Sequence, residues 1–188
     1  MVLQKLMVAL TLLATPVTAA EYQPLFDGRS LDGWTPVGGA TWTLKDGIAA
    51  ADKGGMGFLV SKGRFADYEL RVEFWVSGDA NSGVFIRCGD PTNITFENCY
   101  EVNIYDTRPD PAYGTGGIVN VASVSPMPRT GGRWNVMLIR AEQDRLTVEL
   151  NGQRTVDSVR DARLNEGHIA LQYGAGVVKF RKVEIRPL

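Results

Sequence analysis

The chain reads as an all-β protein, a two-sheet antiparallel β-sandwich, and three observations point there. Apolar and polar residues alternate with a period of two in several short segments, residues 68–76 most cleanly, as in half-buried strands. Turns rich in glycine and asparagine separate these segments. After the first 20 residues, no stretch carries a long apolar stripe at helical spacing. Short strands without helices to cover them bury their apolar faces by packing sheet on sheet.

The first residues stand apart. Lys5 precedes an apolar run over residues 6–14, and Thr15-Pro16-Val17-Thr18-Ala19-Ala20 supplies small residues suited to signal cleavage. The run is short for a bilayer span, and no cysteine near the cleavage point offers a lipid anchor. The expectation is a signal peptide over residues 1–20, export, and one mature domain over residues 21–188, long enough for a sizeable core. Lys5 is the only charge in the leader, which leaves 19 basic and 21 acidic residues in the mature chain. Without a basic excess or a basic run, nucleic acid is not an expected partner. A mixed-sign surface suits neutral ligands.

Strands follow in order. Residues 68–76 place Tyr68, Leu70, Val72, Phe74 and Val76 on the core side. By the same parity, Trp75 shares a polar face with Glu69, Arg71 and Glu73. Two further alternating segments run through Val84 and Ile86, and through Val102 and Ile104. Cys88 ends one and Cys99 precedes the other. In an oxidising compartment these two, the only cysteines, are expected to form a disulfide closing residues 89–98; the alternative is two free thiols. Two cysteines and one distant histidine do not make a zinc site. Residues 134–140 and 146–150 flank a turn, Asn151-Gly152 joins the latter to residues 153–156, and residues 168–172 and 177–185 form the last pair around Tyr173-Gly174-Ala175-Gly176. The longest irregular segments, residues 88–99 and 107–117, carry aromatic residues and suit the walls of a cleft.

The face opposite Val84, Ile86, Val102 and Ile104 is the chemically informative one. It carries Phe85 and Arg87 on one strand and Glu101, Asn103 and Tyr105 on the next. An aromatic ring, a guanidinium, a carboxylate, an amide and a phenol on one face suggest a sugar-binding surface. Plainer readings stand beside this one: Arg87 and Glu101 as a cross-strand ion pair, Asn81-Ser82-Gly83 as a bulge or turn, and Trp34, Trp42 and Trp134 as core or rim packing. Asp106-Thr107-Arg108 reads equally as a self-contained turn. His168 opens a strand without an obvious partner.

Leu25-Phe26-Asp27-Gly28-Arg29-Ser30-Leu31-Asp32-Gly33-Trp34 resembles the opening of the 3-keto-disaccharide hydrolase domain family. Collinear elements extend the resemblance along the mature chain: Trp42 with Asp46-Gly47, Asn81-Ser82-Gly83 with Arg87, Tyr100-Glu101 with Asp106, and Gly114-Thr115-Gly116. Trp134-Asn135, Asn151-Gly152, Gly167 with Leu171-Gln172, and Phe180-Arg181 complete it. The resemblance implies a concanavalin A-like jelly roll with ligand on the concave face, and exported enzymes acting on glycosides oxidised to a ketone at C3. With the short leader, it implies a bacterial periplasm. The chain departs from the family pattern at Tyr173-Gly174-Ala175, where an Asp-His-Gly turn is frequent, and at Lys182, where Asn is frequent.

A C3 ketone acidifies the C2 proton, because the carbanion delocalises onto oxygen. The chemistry needs a base near C2, a cation or hydrogen-bond donor near O3, and help for the C1 leaving group. Elimination across C1–C2 followed by hydration gives net hydrolysis; direct hydrolysis with two carboxylates is the competing route. Glu101 is the expected base, Arg87 the holder of the enolate oxygen, and Tyr105 the acid or base partner. Asn81 and Asn103 are expected to orient sugar hydroxyls, and Trp75 to stack on a ring. Asp106 is five residues from Glu101, on the opposite face of a regular strand, so Glu73 from a neighbouring strand is the other candidate for a carboxylate pair. No cofactor motif is legible, a nicotinamide is not expected, and a divalent-cation site built from loop oxygens is left open. A non-catalytic glycan-binding module is the alternative from another class, and an accessory role in a larger complex is a third.

Overall fold

The computed structural model describes residues 20–188, so the expected signal peptide lies almost wholly outside the described residues. The strands are β1 (Gln23–Phe26), β2 (Trp34–Lys45), β3 (Ile48–Ser61), β4 (Tyr68–Val76), β5 (Ser82–Cys88), β6 (Tyr100–Ile104), β7 (Trp134–Glu142), β8 (Arg145–Leu150), β9 (Gln153–Arg160), β10 (His168–Tyr173) and β11 (Val178–Pro187). A short 3₁₀ turn, Pro111–Tyr113, interrupts the loop after β6. The strands pair antiparallel in the order β6-β5-β10-β3-β11-β4-β7-β8-β9, with β1 on β11 and β2 on β3.

The two layers of the sandwich are the halves of one strongly curled sheet, and β3 belongs to both. Residues 49–51 of β3 pair with β11, whereas residues 57–60 pair with β10. Between them the β2–β3 register slips at Gly38/Ala40 and Ala40/Trp42. Gly54 lies in this stretch with φ +101°, and a Cβ there would sit 2.3 Å from the Gly39 carbonyl oxygen. Only glycine accepts both conditions, so the fold-over is written into these residues.

The main core lies between the halves. Leu70, Val72 and Phe74 of β4, Met137 and Ile139 of β7, and Phe180 and Val183 of β11 meet Val84, Ile86, Val102, Ile104 and Leu171 from the other half. Each fully buried aliphatic or Phe side chain contributes about 1.5–3 kcal/mol relative to exposure. A second, smaller cluster forms on the far side of β5, β10 and β3, where Phe58, Val60, Phe85 and Ala170 gather with Ile94 and the two cysteines.

β4 spans residues 68–76 with buried and half-buried positions alternating throughout, as its sequence requires. Three strands precede it that the alternation rule does not reveal. In β2, Pro36 and Gly38-Gly39 interrupt the pattern on a largely exposed strand; in β3, Ala49-Ala50-Ala51 and the glycines mask it. The β8–β9 turn is Asn151-Gly152, both at positive φ. Asn151 also receives Val136 N–H on its Oδ1 at 2.9 Å and donates to Asn135 Oδ1 at 2.9 Å, so it ties β7 to the hairpin as well.

Candidate active site beneath the disulfide loop

Facing away from the main core, five strands present side chains in cross-strand rows. Glu101, Phe85, Ala170, Val60 and Thr35 stand in one row. Asn103, Gly83, Gln172, Phe58 and Val37 stand in the next. Period-two alternation in β5, β6 and β10 fixes this arrangement, because Val84, Val102 and Leu171 turn into the core between them. Cys88 and Cys99 are joined, and the loop they close folds over this face with Ile94 packed into the Phe58, Val60, Phe85 and Ala170 cluster.

A cleft of about 230 Å³ opens beside that loop. Phe58, Phe85 and Gln172 form its floor, Ile94, Thr95 and Phe96 one wall, and Glu101 and Met56 its sides. Met56 is 60% exposed and Phe96 44%, two of the three large apolar side chains so exposed among the described residues. Their convergence at one mouth marks a surface for a ligand with apolar faces. Glu101 is the one carboxylate lining the cleft. Burial pushes its carboxyl up to about 7, and the positive charge of Arg108 opposes that rise. Arg108 reaches this neighbourhood from the turn after β6, where its N–H donates to Tyr105 O at 3.3 Å.

The other expected site residues divide sharply. Tyr105 and Asn81 are half-buried; Tyr105 directly follows β6 and Asn81 directly precedes β5, and neither lines the cleft. Asn81 also bridges to Ala175: its N–H donates to Ala175 O at 3.2 Å, and its carbonyl accepts from Gly174 and Ala175. Asn103 is fully buried; its Nδ2 donates to Tyr113 O at 2.7 Å, which anchors the loop after β6.

Arg87 is not at the cleft. Its φ of +54° breaks the alternation of β5 at a bulge against β10, and the guanidinium enters the end of the sandwich. There it is completely buried, donating to the carbonyls of Ala66, Gln143 and Leu164 and to Asp67 Oδ1 at 3.2 Å. The expected Arg87–Glu101 partnership is therefore replaced by an Arg87–Asp67 pair, and the cation near Glu101 is Arg108.

Asp106 is likewise internal. Its carboxylate accepts from Thr115 Oγ1 at 2.6 Å, Thr130 N at 2.7 Å, Thr130 Oγ1 at 2.9 Å and Gly131 N at 2.9 Å. Burial pushes this carboxyl up, but those bonds outweigh it and hold it below the ordinary Asp value. With its acceptor positions filled, Asp106 is a loop organiser rather than a sugar ligand. Trp75 and Glu73 lie on the outer face of the other half-sheet, across the core from Glu101. Lys179 Nζ sits 4.5 Å over the Trp75 ring, and Glu73 pairs with Arg181 at 2.8 Å. That placement keeps Glu73 and Trp75 away from the cleft that holds Glu101, so the structure does not bring Glu73 and Glu101 together. His168 does have a partner: its Nδ1 lies 2.8 Å from Ser61 O and, because a carbonyl only accepts, carries the proton.

Three cleft features escape the strand pattern. Gln172 is legible only within the Leu171-Gln172 element of the family resemblance and by its parity on β10, neither of which marks a role. Gly83 reads as a turn residue yet lies within β5. Arg108 reads as part of a self-contained turn. Among the described residues, no group of three or more His, Cys, Asp or Glu side chains could hold a metal ion.

A curled antiparallel sandwich with its cleft on the sheet face beyond the core defines a concanavalin A-like, galectin-like β-protein, and solved structures agree. A candidate glycosyl hydrolase from Parabacteroides distasonis superposes with a TM-score of 0.72 at 23% identity, over 89% of this chain and 100% of that one. A β-glucanase from Bacillus licheniformis does so with a TM-score of 0.64 at 11% identity, over 92% and 100%. More specifically, the 3-keto-alpha-glucoside-1,2-lyase-like domain model matches residues 21–186, and the chain belongs to that family. A 3-keto-disaccharide hydrolase from Bacteroides thetaiotaomicron is 32% identical over 93 residues, which is 43% of this chain. The aligned stretch spans 32% of that relative's length. The Cys88–Cys99 bridge is that of an extracytoplasmic protein.

Proposed function

We propose that this protein cleaves 3-keto-disaccharides or related 3-keto-glycosides outside the cytoplasm, in a bacterial periplasm, with Glu101 as the base that removes the C2 proton. The observation that carries this reading is a lone carboxyl in a half-apolar cleft whose proton affinity burial has raised to about pH 7. A base poised there is partly ionised near neutrality and still strong enough to take a carbon-bound proton acidified by an adjacent ketone. Arg108 is the cation placed to offset the enolate charge, in the role first expected of Arg87. Tyr105, half-buried in the turn that follows β6, is the candidate proton donor to the leaving oxygen.

Glu101 has no second carboxylate beside it in the cleft lining, which favours elimination across C1–C2 and rehydration over a two-carboxylate hydrolysis. In the first step the C2–H electrons form the enolate and then expel the C1 oxygen. In the second, water adds across the new double bond and returns the proton to C2.

The test is incubation of purified protein with 3-keto-trehalose and 3-keto-sucrose, and with the parent disaccharides, followed by mass spectrometry. Release of glucose or fructose from the keto sugars alone supports the reading. In deuterated water, deuterium at C2 of the released keto sugar separates elimination and rehydration from direct hydrolysis. No release, with saccharide binding retained, makes the protein a glycan-binding module instead.

A further inference from the structure

Gln172 lies on the cleft floor, 6% exposed, and its Oε1 is buried without a hydrogen-bond donor from the protein. Its Nε2 faces Met56 Sδ at 3.9 Å, a weak acceptor, which leaves Oε1 as the end turned elsewhere. A buried amide oxygen left open costs free energy unless water or a ligand fills it.

Gly83 shows how closely the polar groups of the cleft approach one another. Its φ is not in the left-handed region, so the backbone does not require glycine there. A Cβ built on it would nevertheless touch Gln172 Oε1 at 3.4 Å, Glu101 Cγ at 3.4 Å and Phe85 Cε2 at 3.3 Å. Gln172 and Glu101 thus close on Gly83 from β10 and β6 so tightly that even a methyl group would be crowded there, and the glycine lets an acceptor and a base stand side by side in the cleft. The surrounding Phe58 and Phe85 rings are apolar. The cleft of about 230 Å³ that Gln172 and Glu101 line together with these rings suits a pyranose, whose C–H faces are apolar and whose edge carries hydroxyls.

We infer that Gln172 is a specificity-determining residue whose amide oxygen accepts a hydrogen bond from a ring hydroxyl of a sugar held in this cleft. This rests on the carbohydrate reading of the cleft. An acceptor cannot read the ketone oxygen, which is also an acceptor, so Gln172 reads a hydroxyl that the oxidised sugar has kept. A site built to satisfy a buried polar group rejects an analogue that leaves it unpaired more strongly than an apolar pocket rejects a size change.

The experiment measures binding in the catalytically silent Glu101→Gln background by calorimetry. The ligands are methyl 3-keto-α-glucoside and its 2-deoxy, 4-deoxy and 6-deoxy analogues. One deoxy analogue is expected to bind at least about tenfold more weakly than the parent. Adding Gln172→Met, similar in shape but without the amide, should weaken the parent and erase that difference. Gly83→Ala, with its fold checked by circular dichroism, should weaken every ligand by pushing Gln172 and Glu101 apart. Equal binding of the parent and all three analogues, or discrimination that survives Gln172→Met, overturns the role of Gln172 while leaving the carbohydrate reading intact. Failure of every saccharide to bind overturns both.

Discussion

Glu101 on β6 sits directly opposite Phe85 on β5, so the carboxyl rises from the sheet beside a ring that is 2% exposed. That neighbour, with Phe58 and the loop residues above, keeps water from the charge and accounts for a proton affinity near pH 7. Turnover should therefore rise along an acid limb with an apparent pKa near 7, and Glu101→Gln should lower kcat by about 10²–10⁴. The sign for stability is opposite to that of a paired carboxylate. The folded value lies above the unfolded one, so the folded state holds its proton more tightly and loses relative stability as pH climbs from about 4.5 to 7. Glu101→Gln should accordingly stabilise the protein by up to about 3 kcal/mol at pH 8 and by nothing below pH 4.5. Melting curves of both proteins at pH 4 and pH 8 check this; a difference that is the same at both would refute the assignment.

Asp106 tests the other sense of the same linkage. Its bonds to Thr130 N, Gly131 N and two threonine hydroxyls join β6 to the segment before β7. Asp106→Asn turns an amide donor toward groups that already donate, and should cost about 2–4 kcal/mol at pH 7. The folded value is depressed, so the advantage of the carboxylate is present above the ordinary Asp range and fades as pH falls through the lower folded value. Urea titrations at pH 7 and pH 3 should show the gap between wild type and variant closing in acid, with KM at pH 7 unchanged for the protein that remains folded.

The contrast between these two carboxylates explains what could be read from the sequence. Alternation in residues 68–76 and 100–104 placed Glu101 on the face away from the core and Leu70, Val72 and Phe74 in the core, because period-two burial is a local property. Arg87 breaks that logic through one positive φ, which parity cannot foresee. Trp75 and Glu73 were assigned the correct face of their own strand, but which half of the curled sheet β4 joins depends on β3 serving both halves. The partners of Asp106 come from residues 115, 130 and 131, a convergence set by loop closure and invisible in local spacing. The cysteine pairing was legible because its two ends flank adjacent strands.

Arg87 serves as a stabiliser of the fold rather than of an enolate. Its five hydrogen bonds reach three carbonyls and Asp67 from separate loops, so one buried guanidinium ties these segments together. Arg87→Leu should destabilise the protein by about 2–4 kcal/mol, since it removes five hydrogen bonds of a fully buried cation at once. Arg87→Lys should recover part of that loss, because an ammonium cannot span the same fork. For either variant, kcat measured on the folded fraction well below its melting temperature should stay within about twofold of wild type. A selective fall in kcat for a fully folded Arg87→Lys protein would return Arg87 to the chemistry.

The Cys88–Cys99 loop links stability to catalysis. Closing an 11-residue separation restricts the unfolded chain, and replacing both cysteines with serine should cost about 3 kcal/mol. The second consequence is electrostatic. Ile94, Thr95 and Phe96 of this loop line the cleft that holds Glu101, so they supply part of the burial that raises its proton affinity. Loosening them admits water to the carboxyl, and the folded value should fall from about 7 toward the ordinary Glu value. The Cys88→Ser/Cys99→Ser protein should then show its acid limb shifted to lower pH, with a lower rate at neutrality because the weaker base removes the C2 proton less effectively. Reducing the wild-type bridge with dithiothreitol under native conditions should move the limb the same way. An unmoved limb in a folded, reduced protein would mean that Phe58 and Phe85 keep Glu101 dry without help from the loop.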